Sequence, residues 1–365
     1  MKKRVFGDNF LLIATAGILL GGFVGLSFSP APRLSLTENR YLAAFPAFSA
    51  QDLASGAYTA AMDRFAEERF PLRNACRAAY ATTDLLLLRG ECHGVMLCRD
   101  GSLCRRLAVN EQIYRQNLSA IPRLRRALGD VALTVAIAPR RIDVRHEVLP
   151  ALYDTAREQT VWEQLPASTV TFLDATKDAQ WYRTDHHWTS TGAYFAYVRL
   201  AQHLGYSPYP ESAFWEQNVS ESFRGSSAAA AGFSQITPDT VSVWRYEGDQ
   251  SYHVMRDGEQ ASFSGLYDEE KVLSADQYSL FLGGNCGLLE IDRGEGDSRP
   301  VLLVIKDSFA NSLLPFLARH YRILAVDPRY FGGTLAPLVK KADAALVLCG
   351  MQTLTQTPFF GTLLR

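Results

Sequence analysis

Five apolar residues in a row, Val301-Leu302-Leu303-Val304-Ile305, run straight into Lys306-Asp307-Ser308-Phe309. A strand with one wet face alternates apolar and polar residues. This run has no polar face, so it predicts a strand covered on both sides, as in the centre of a parallel sheet. Val131 to Ile137, Thr169 to Leu173, Tyr321 to Val326 and Ala344 to Leu348 read as further strands. Helical patterns lie among them: Asn110 to Leu128 with Pro122 inside, Gly192 to His203 capped by Thr189 or Ser190, and Phe309 to His320. Strands that alternate with helices predict an α/β fold, a mostly parallel doubly wound sheet with helices on both faces. Its functional edge is the one formed by the strand C-terminal ends. No internal repeat is visible.

The remaining segments are less regular. Gln51 to Leu88 reads as two helices broken at Pro71. Gly94 to Leu103 reads as a hairpin turning at Asp100-Gly101. Residues 205–296 read as an irregular insertion over the core, with a small-residue tract at 225–232, a strand at Val241 to Tyr246 and a tight turn at Gly283-Gly284-Asn285.

At the other end of the chain, Phe10 to Phe28 carries no charged residue and follows Lys2-Lys3-Arg4. Such a run at ~1.5 Å per residue covers ~28 Å, one hydrocarbon core. The basic flank predicts a cytoplasmic N-terminus (residues 1–9), a single transmembrane signal anchor (10–29), an extended arm (30–50) and an external domain (51–365). A cleaved signal peptide is the competing reading, with Ser27, Ser29 and Ala31 as small residues near a cut. The net charge of −1 gives no reason to expect nucleic acid as a partner. The six cysteines include Cys92, Cys98 and Cys104 but no C-x-x-C pair. Disulfides in the 92–104 region and free half-buried thiols are both open, and a structural zinc site is not indicated.

Two stretches carry chemistry. Thr184-Asp185-His186-His187-Trp188-Thr189-Ser190 sets a carboxylate, two imidazoles and an indole side by side before a helix. In an extended segment Asp185 and His187 point the same way, so the carboxylate can hold the imidazole for base work. Ser308 follows the buried strand and precedes a predicted helix, whose first N–H groups are candidates to hold an oxyanion. Hydroxyl catalysis needs a nucleophile, a base and a group that fixes the base; Ser308, His187 and Asp185 supply them. The same residues admit blander readings: Asp307-Ser308 as a helix cap, and the histidines as structural. Asp185, His186 and His187 also admit a metal reading, although no H-x-x-x-H completes it. Asn285 is either a turn residue or an oxyanion donor. Arg140, Arg141 and Lys306 sit near strand ends, as surface charges or as contacts for an anionic ligand. Trp188 reads as a packing residue that orients the loop.

Together these stretches resemble the bacterial DHHW protein family. The likeness rests on Asp185-His186-His187-Trp188, the Glu38-Asn39-Arg40 arm, Phe70-Pro71-Leu72-Arg73, Gly283-Gly284-Asn285 and Lys306-Asp307-Ser308-Phe309. That family is similar in turn to the SGNH-hydrolase-like alginate O-acetylation proteins (AlgX/AlgJ-like). The resemblance implies an SGNH-like domain and acyl transfer to, or removal from, a polysaccharide or other glycan outside the cytoplasm. It implies Ser308 as nucleophile, His187 as base and Asp185 as its orienter. Asn285, Gly284, His186 and Lys306 are the accompanying oxyanion or substrate candidates. It implies no cofactor. A membrane protein that donates the acyl group is the second implied partner. The alternative is a glycan-binding or assembly protein of the cell envelope with no catalysis.

Overall fold

The computed structural model describes residues 10, 12–17, 20–21, 25, 34–35, 40–70, 72–87, 89–173, 180–233, 236–361 and 363–364. Half of the expected anchor at 10–29 lies outside the described residues, as do Glu38-Asn39 of the arm and Pro71. Among the described residues no helix is long and apolar enough to cross a membrane. The chain forms two compact units: residues 1–89 with 232–234, and residues 90–231 with 235–365.

The first unit holds helices α1 (Ala50–Ser55), α2 (Ala57–Arg69) and α3 (Arg73–Leu86). Ser49 caps α1 by accepting from the Asp52 N–H. The helical pattern from Gln51 breaks earlier than expected, at Gly56. Its φ of +80° ends α1, and its N–H bonds to the Leu53 carbonyl.

The second unit is the α/β domain. It opens with three short strands, β1 (Glu91–Cys92), β2 (Val95–Leu97) and β3 (Leu103–Arg105), of which β1 was not expected. Asp100-Gly101 turns between β2 and β3 as predicted, and Gly101 has φ +77°. Helix α4 (Glu111–Leu128) follows; the Asn110 side chain caps it by accepting from two N–H groups. Then come β4 (Ala132–Ala138), β5 (Val170–Thr171) and α5 (Ser190–Leu204), the last capped by Thr189. The 205–296 region supplies β6 (Trp215–Phe223), helix α6 (Ser226–Ala231), β7 (Asp239–Arg245), β8 (His253–Arg256), β9 (Glu259–Gln260) and β10 (Leu288–Asp292). The chain finishes with β11 (Val301–Lys306), α7 (Leu314–Leu317), β12 (Arg322–Val326), β13 (Ala344–Gly350) and α8 (Met351–Gln356).

The main sheet has eight strands in the order β9-β8-β10-β12-β11-β13-β4-β5. The five strands from β12 to β5 run parallel, with Val304 of β11 opposite Ala325 on one side and Leu346 on the other. The sheet is therefore mixed rather than nearly all parallel: β10, β8 and β9 add antiparallel to its edge. These three strands come from the region read as an irregular insertion. They are short, and too little of each repeats to stand out from loop.

Alternation along β11 feeds two cores. Leu302 and Val304 join Ala193, Tyr197 and Leu200 of α5 and Phe316 and Leu317 of α7 on one face. Val301, Leu303 and Ile305 join Tyr114, Ile121 and Leu124 of α4, Leu354 of α8 and Phe360 on the other. Helices cover both faces, as the unbroken apolar run demands. Each such side chain contributes roughly 1.5–3 kcal/mol by leaving water, so the C-terminal end of β11 is held by the most heavily buried part of the domain.

Candidate active site

Ser308 is the second residue beyond β11, at the sheet's C-terminal edge. The long helix expected from Phe309 does not form. A single 3-10 turn, Ser308–Ala310, is followed by the four residues of α7. Asp307 explains the tight turn. Its Oδ1 accepts the Phe309 N–H at 3.0 Å, and its Oδ2 accepts the Gly350 N–H at 2.8 Å and the Thr353 hydroxyl at 2.6 Å. The carboxylate thus ties the turn to the ends of β13 and α8. The cap reading of Asp307 holds, and it leaves the Ser308 side chain free. The Ser308 backbone N–H has no acceptor among the described residues.

The Ser308 hydroxyl meets His187. Its Oγ lies 2.8 Å from Nε2, and Nδ1 of the same ring lies 2.6 Å from Asp185 Oδ1. That carboxylate oxygen also accepts the His187 N–H at 2.9 Å, which fixes the turn between the two residues. Asp185 Oδ2 accepts the Ser226 N–H at 2.6 Å, at the start of α6. Burial alone would raise the Asp185 pKa; the two imidazoles and the hydrogen bonds from His187 instead hold it well below the usual range. An ionised carboxylate with both oxygens occupied orients the ring and leaves Nε2 facing the serine.

Two rings pack against the imidazole. Tyr278 stacks flat on it, with centroids 3.9 Å apart and an interplanar angle of 6°. The Tyr278 hydroxyl reaches the Ser308 carbonyl at 3.3 Å and Ser312 Oγ at 3.0 Å. His186 lies against His187 at 3.8 Å, with its own Nδ1 2.8 Å from Ser226 Oγ. Burial and then the adjacent His187 push the His186 pKa down to about 3, against the pull of Asp185.

Residues 172–326 match the DHHW protein family. That stretch contains both the Asp185-to-Trp188 signature and Ser308. No match was found among curated proteins. In fold, the chain is similar to a DHHW family protein from Eubacterium siraeum. The two share 19% identity over 74% of this chain and 95% of that one, with a TM-score of 0.61. It is also similar to Bacillus cereus PatB1, solved with a sulfonyl adduct, at 16% identity over 73% of this chain and 98% of that one, TM-score 0.57. The O-acetyltransferase domain of Pseudomonas putida AlgJ aligns more loosely, at 19% identity over 72% and 93% and a TM-score of 0.41. At these identities the first two likenesses establish the α/β fold.

The last residue of the DHHW signature does more than pack. Trp188 is buried edge-on to Phe309 and Phe172, and its indole N–H bonds to the Phe309 carbonyl and to Ser312 Oγ, each at 3.0 Å. It therefore holds the chain immediately after Ser308. The small-residue tract is also part of the site. A Cβ on Gly225 would lie 2.3 Å from the Asp185 Cβ, so only glycine fits there.

Several sequence expectations need correction. Lys306 is fully buried and bonds to Asn311 Oδ1 at 2.6 Å, so it faces no substrate. The Gly284 N–H is used within its turn, on the Phe281 carbonyl, and is unavailable to an oxyanion. Arg140 and Arg141 are buried rather than surface charges, because Asp143 and Asp100 pair with them. Asn285 keeps its place as a donor candidate. Its Oδ1 accepts from Asn311 Nδ2 at 3.1 Å, which leaves its own amide N–H groups without an acceptor among the described residues. Lys306 and Asn311 thereby set the Asn285 amide orientation.

The donors of Asp185, His186 and His187 lie within 4.8 Å of one another, the spacing of a metal cluster. Both His187 nitrogens are engaged by Asp185 and Ser308, however, and His186 Nδ1 by Ser226. A cation would have to break these bonds to gain three ligands. All six cysteines are free thiols. Tyr278 was not found by reading the sequence; it lies in an irregular stretch, and nothing local separates it from the other tyrosines.

Proposed function

We propose that the chain is a serine O-acyltransferase or esterase acting on a cell-surface or exopolysaccharide glycan outside the cytoplasm, anchored by residues 10–29. The observation that carries this reading is the continuous relay from Asp185 through His187 to Ser308. The sulfonyl adduct of PatB1 belongs to that protein, and it suggests which chemistry to test first.

In this reading Ser308 Oγ attacks the acyl carbonyl carbon of a donor while its proton passes to His187 Nε2. The carbonyl π pair moves to oxygen, where the Ser308 N–H and the Asn285 amide are the donors at hand. Collapse expels the donor's alkoxide, which takes the proton from His187 and leaves acyl-Ser308. A glycan hydroxyl then gives its proton to His187 and attacks the acyl carbon. Ser308 departs and recovers the proton. Water in place of the sugar makes the same steps a hydrolysis. Asp185 holds the ring and stabilises the imidazolium throughout. A membrane acyl carrier is the proposed donor.

The test is turnover of an aryl acetate by the wild-type chain, with Ser308→Ala and His187→Ala as comparisons. Each variant should lose at least about 10⁴-fold in kcat. A sulfonyl fluoride should label Ser308, read by peptide mass. No turnover and no label in a folded wild-type protein would sink the enzymatic reading and favour a binding or assembly role. For the anchor, a phosphatase fused after residue 365 should be active only outside the cytoplasm; activity restricted to a cytoplasmic reporter would overturn that placement.

A further inference from the structure

One arginine beside the site has no counter-charge of its own. Arg105 ends β3, paired across the ladder with Val95, and its side chain is half-buried. The strand abuts the signature segment: the Leu103 N–H donates to the Arg183 carbonyl at 2.7 Å. Helix α6, whose first residue holds Asp185 and His186, packs on β2 and β3. Four arginines around it have acceptors. Arg140 pairs with Asp143 at 2.8 Å, Arg106 with Glu91 at 2.8 Å and Arg141 with Asp100, while Arg183 donates to the Asp100 carbonyl. The Arg105 carbonyl accepts from Arg140, but its guanidinium makes no hydrogen bond or ion pair among the described residues.

The charge of Asp185 acts on Arg105, and His186 feels the positive charge of Arg105 in turn. Asp185 cannot be its partner in the ordinary sense, because both oxygens are taken by His187 and Ser226. Burial and the neighbouring Arg140 lower the Arg105 pKa, while Asp185 raises it. An arginine nonetheless stays protonated at any physiological pH. A partly desolvated cation with no acceptor among the described residues, on a strand that abuts the signature segment, is open to an anion from solution. Its planar fork suits two oxygens of one carboxylate or phosphate.

We propose that Arg105 is a binding point for a carboxylate or phosphate on the molecule whose ester is made or broken at Ser308. The inference deepens the acyltransfer reading and rests on it for the identity of that molecule. The anion belongs either to the glycan acceptor or to the acyl donor.

NMR titration of the full-length chain separates these cases. The probes are glucuronate, glucose 6-phosphate, neutral glucose and inorganic phosphate. The expected result is that the two anionic sugars bind at least tenfold more tightly than glucose. That preference should vanish in Arg105→Met and fall to an intermediate value in Arg105→Lys. Anionic sugars that bind well above inorganic phosphate place the anion on the acceptor. Inorganic phosphate binding as tightly as the sugars places it on a phosphate-bearing donor. If no anion is preferred, or the preference survives in Arg105→Met, the proposal is wrong. Should Arg105→Met fail to fold, Arg105→Lys decides: the point charge remains but the fork is lost, so undiminished preference refutes the site. Binding is read without turnover, so a chain that binds anions yet hydrolyses no ester sinks the acyltransfer reading and keeps the site.

Discussion

Adding one methyl group, Gly225→Ala, is the sharpest test of how the site is built. The new Cβ would sit 2.3 Å from the Asp185 Cβ and 2.4 Å from its Oδ2. Ordinary contact begins near 3.4 Å, so the two segments must part by about 1.1 Å. Asp185 cannot swing aside without losing His187 or Ser226, since its oxygens are bonded to both. The segments therefore separate, and the Ser226 N–H bond to Asp185 is lost first. Overpacking of this kind costs about 1–3 kcal/mol of stability. A displacement near 1 Å at an acid–base relay costs on the order of 10²-fold in rate. The assay is paired: the urea midpoint for stability, and kcat on an aryl acetate for the relay. Ser226→Ala is the control. It keeps the backbone N–H on Asp185 and removes only the hydroxyl on His186, so its loss should stay below about tenfold, a ~1.4 kcal/mol effect. A Gly225→Ala protein with activity within twofold of wild type and an unchanged midpoint would show that α6 does not press on Asp185, and would falsify this account of the site.

Other consequences follow from single contacts. Trp188→Phe removes the donor to the buried Phe309 carbonyl and to Ser312, and should destabilise the domain by about 2–4 kcal/mol in urea titration; a change below about 0.5 kcal/mol would refute the anchoring role. His186 is held down to about 3 in the folded state against about 6.5 unfolded. The unfolded chain therefore binds the proton first, so the stability is complete above pH ~6.5 and is lost as pH falls toward 3, by at most about 4–5 kcal/mol. The depressed Asp185 acts in the same direction at lower pH, and His186→Gln should flatten the upper part of the acid limb; an unaltered limb counts against burial of a neutral imidazole. Cys76 is the one exposed thiol and the other five are buried, so Ellman's reagent should find one reactive group in the native protein and six after unfolding. Four after unfolding would mean that a pair such as Cys98 and Cys104 is oxidised.

What could be read from the sequence was whatever its own neighbours determine. The unbroken apolar runs of β4, β11 and β13 announced a sheet covered on both faces, because burial on two sides removes the polar alternation. Asp185 and His187 could be paired because their spacing is two, although the segment is a loop of bends closed by the Trp181–Trp188 bridge rather than the extended stretch expected, and the His187 N–H bond to Asp185 is what brings the side chains together. Ser308 could be proposed because a buried strand ended just before it. Long-range partners could not be seen. Tyr278 and the Gly225-Ser226 step reach the site from stretches without periodicity, across 91 and 38 residues from His187. The helix after Ser308 was over-read because Phe309 to Leu317 is rich in apolar residues. Those residues are buried all round, and the cap of Asp307 on Phe309 favours a tight turn over a continuous helix. Lys306 was misplaced because a lysine at a strand end usually reaches water; here Asn311 meets it inside.

These contacts also explain why the four residues of the signature occur as a block. Together they join the segment to two other parts of the chain, Ser226 and the 308–312 turn. Asp185 reaches the start of α6, and His186 meets the same Ser226 through its hydroxyl. His187 crosses to Ser308, and Trp188 crosses to Phe309 and Ser312, in each case over 121 residues or more of sequence. The imidazole is aligned by what surrounds it: a carboxylate on Nδ1, the serine on Nε2, a phenol stacked on the ring and a second imidazole tilted against it. An isolated pairing of Asp185 with His187 would leave that ring free to turn about χ1 and χ2. The adjacent histidine and tryptophan remove that freedom, one by contact with the ring and the other by fixing the strand exit that it must face. Order at the nucleophile is therefore a property of the whole domain, reached only when β11, α6 and the 205–296 region have all docked on the signature segment.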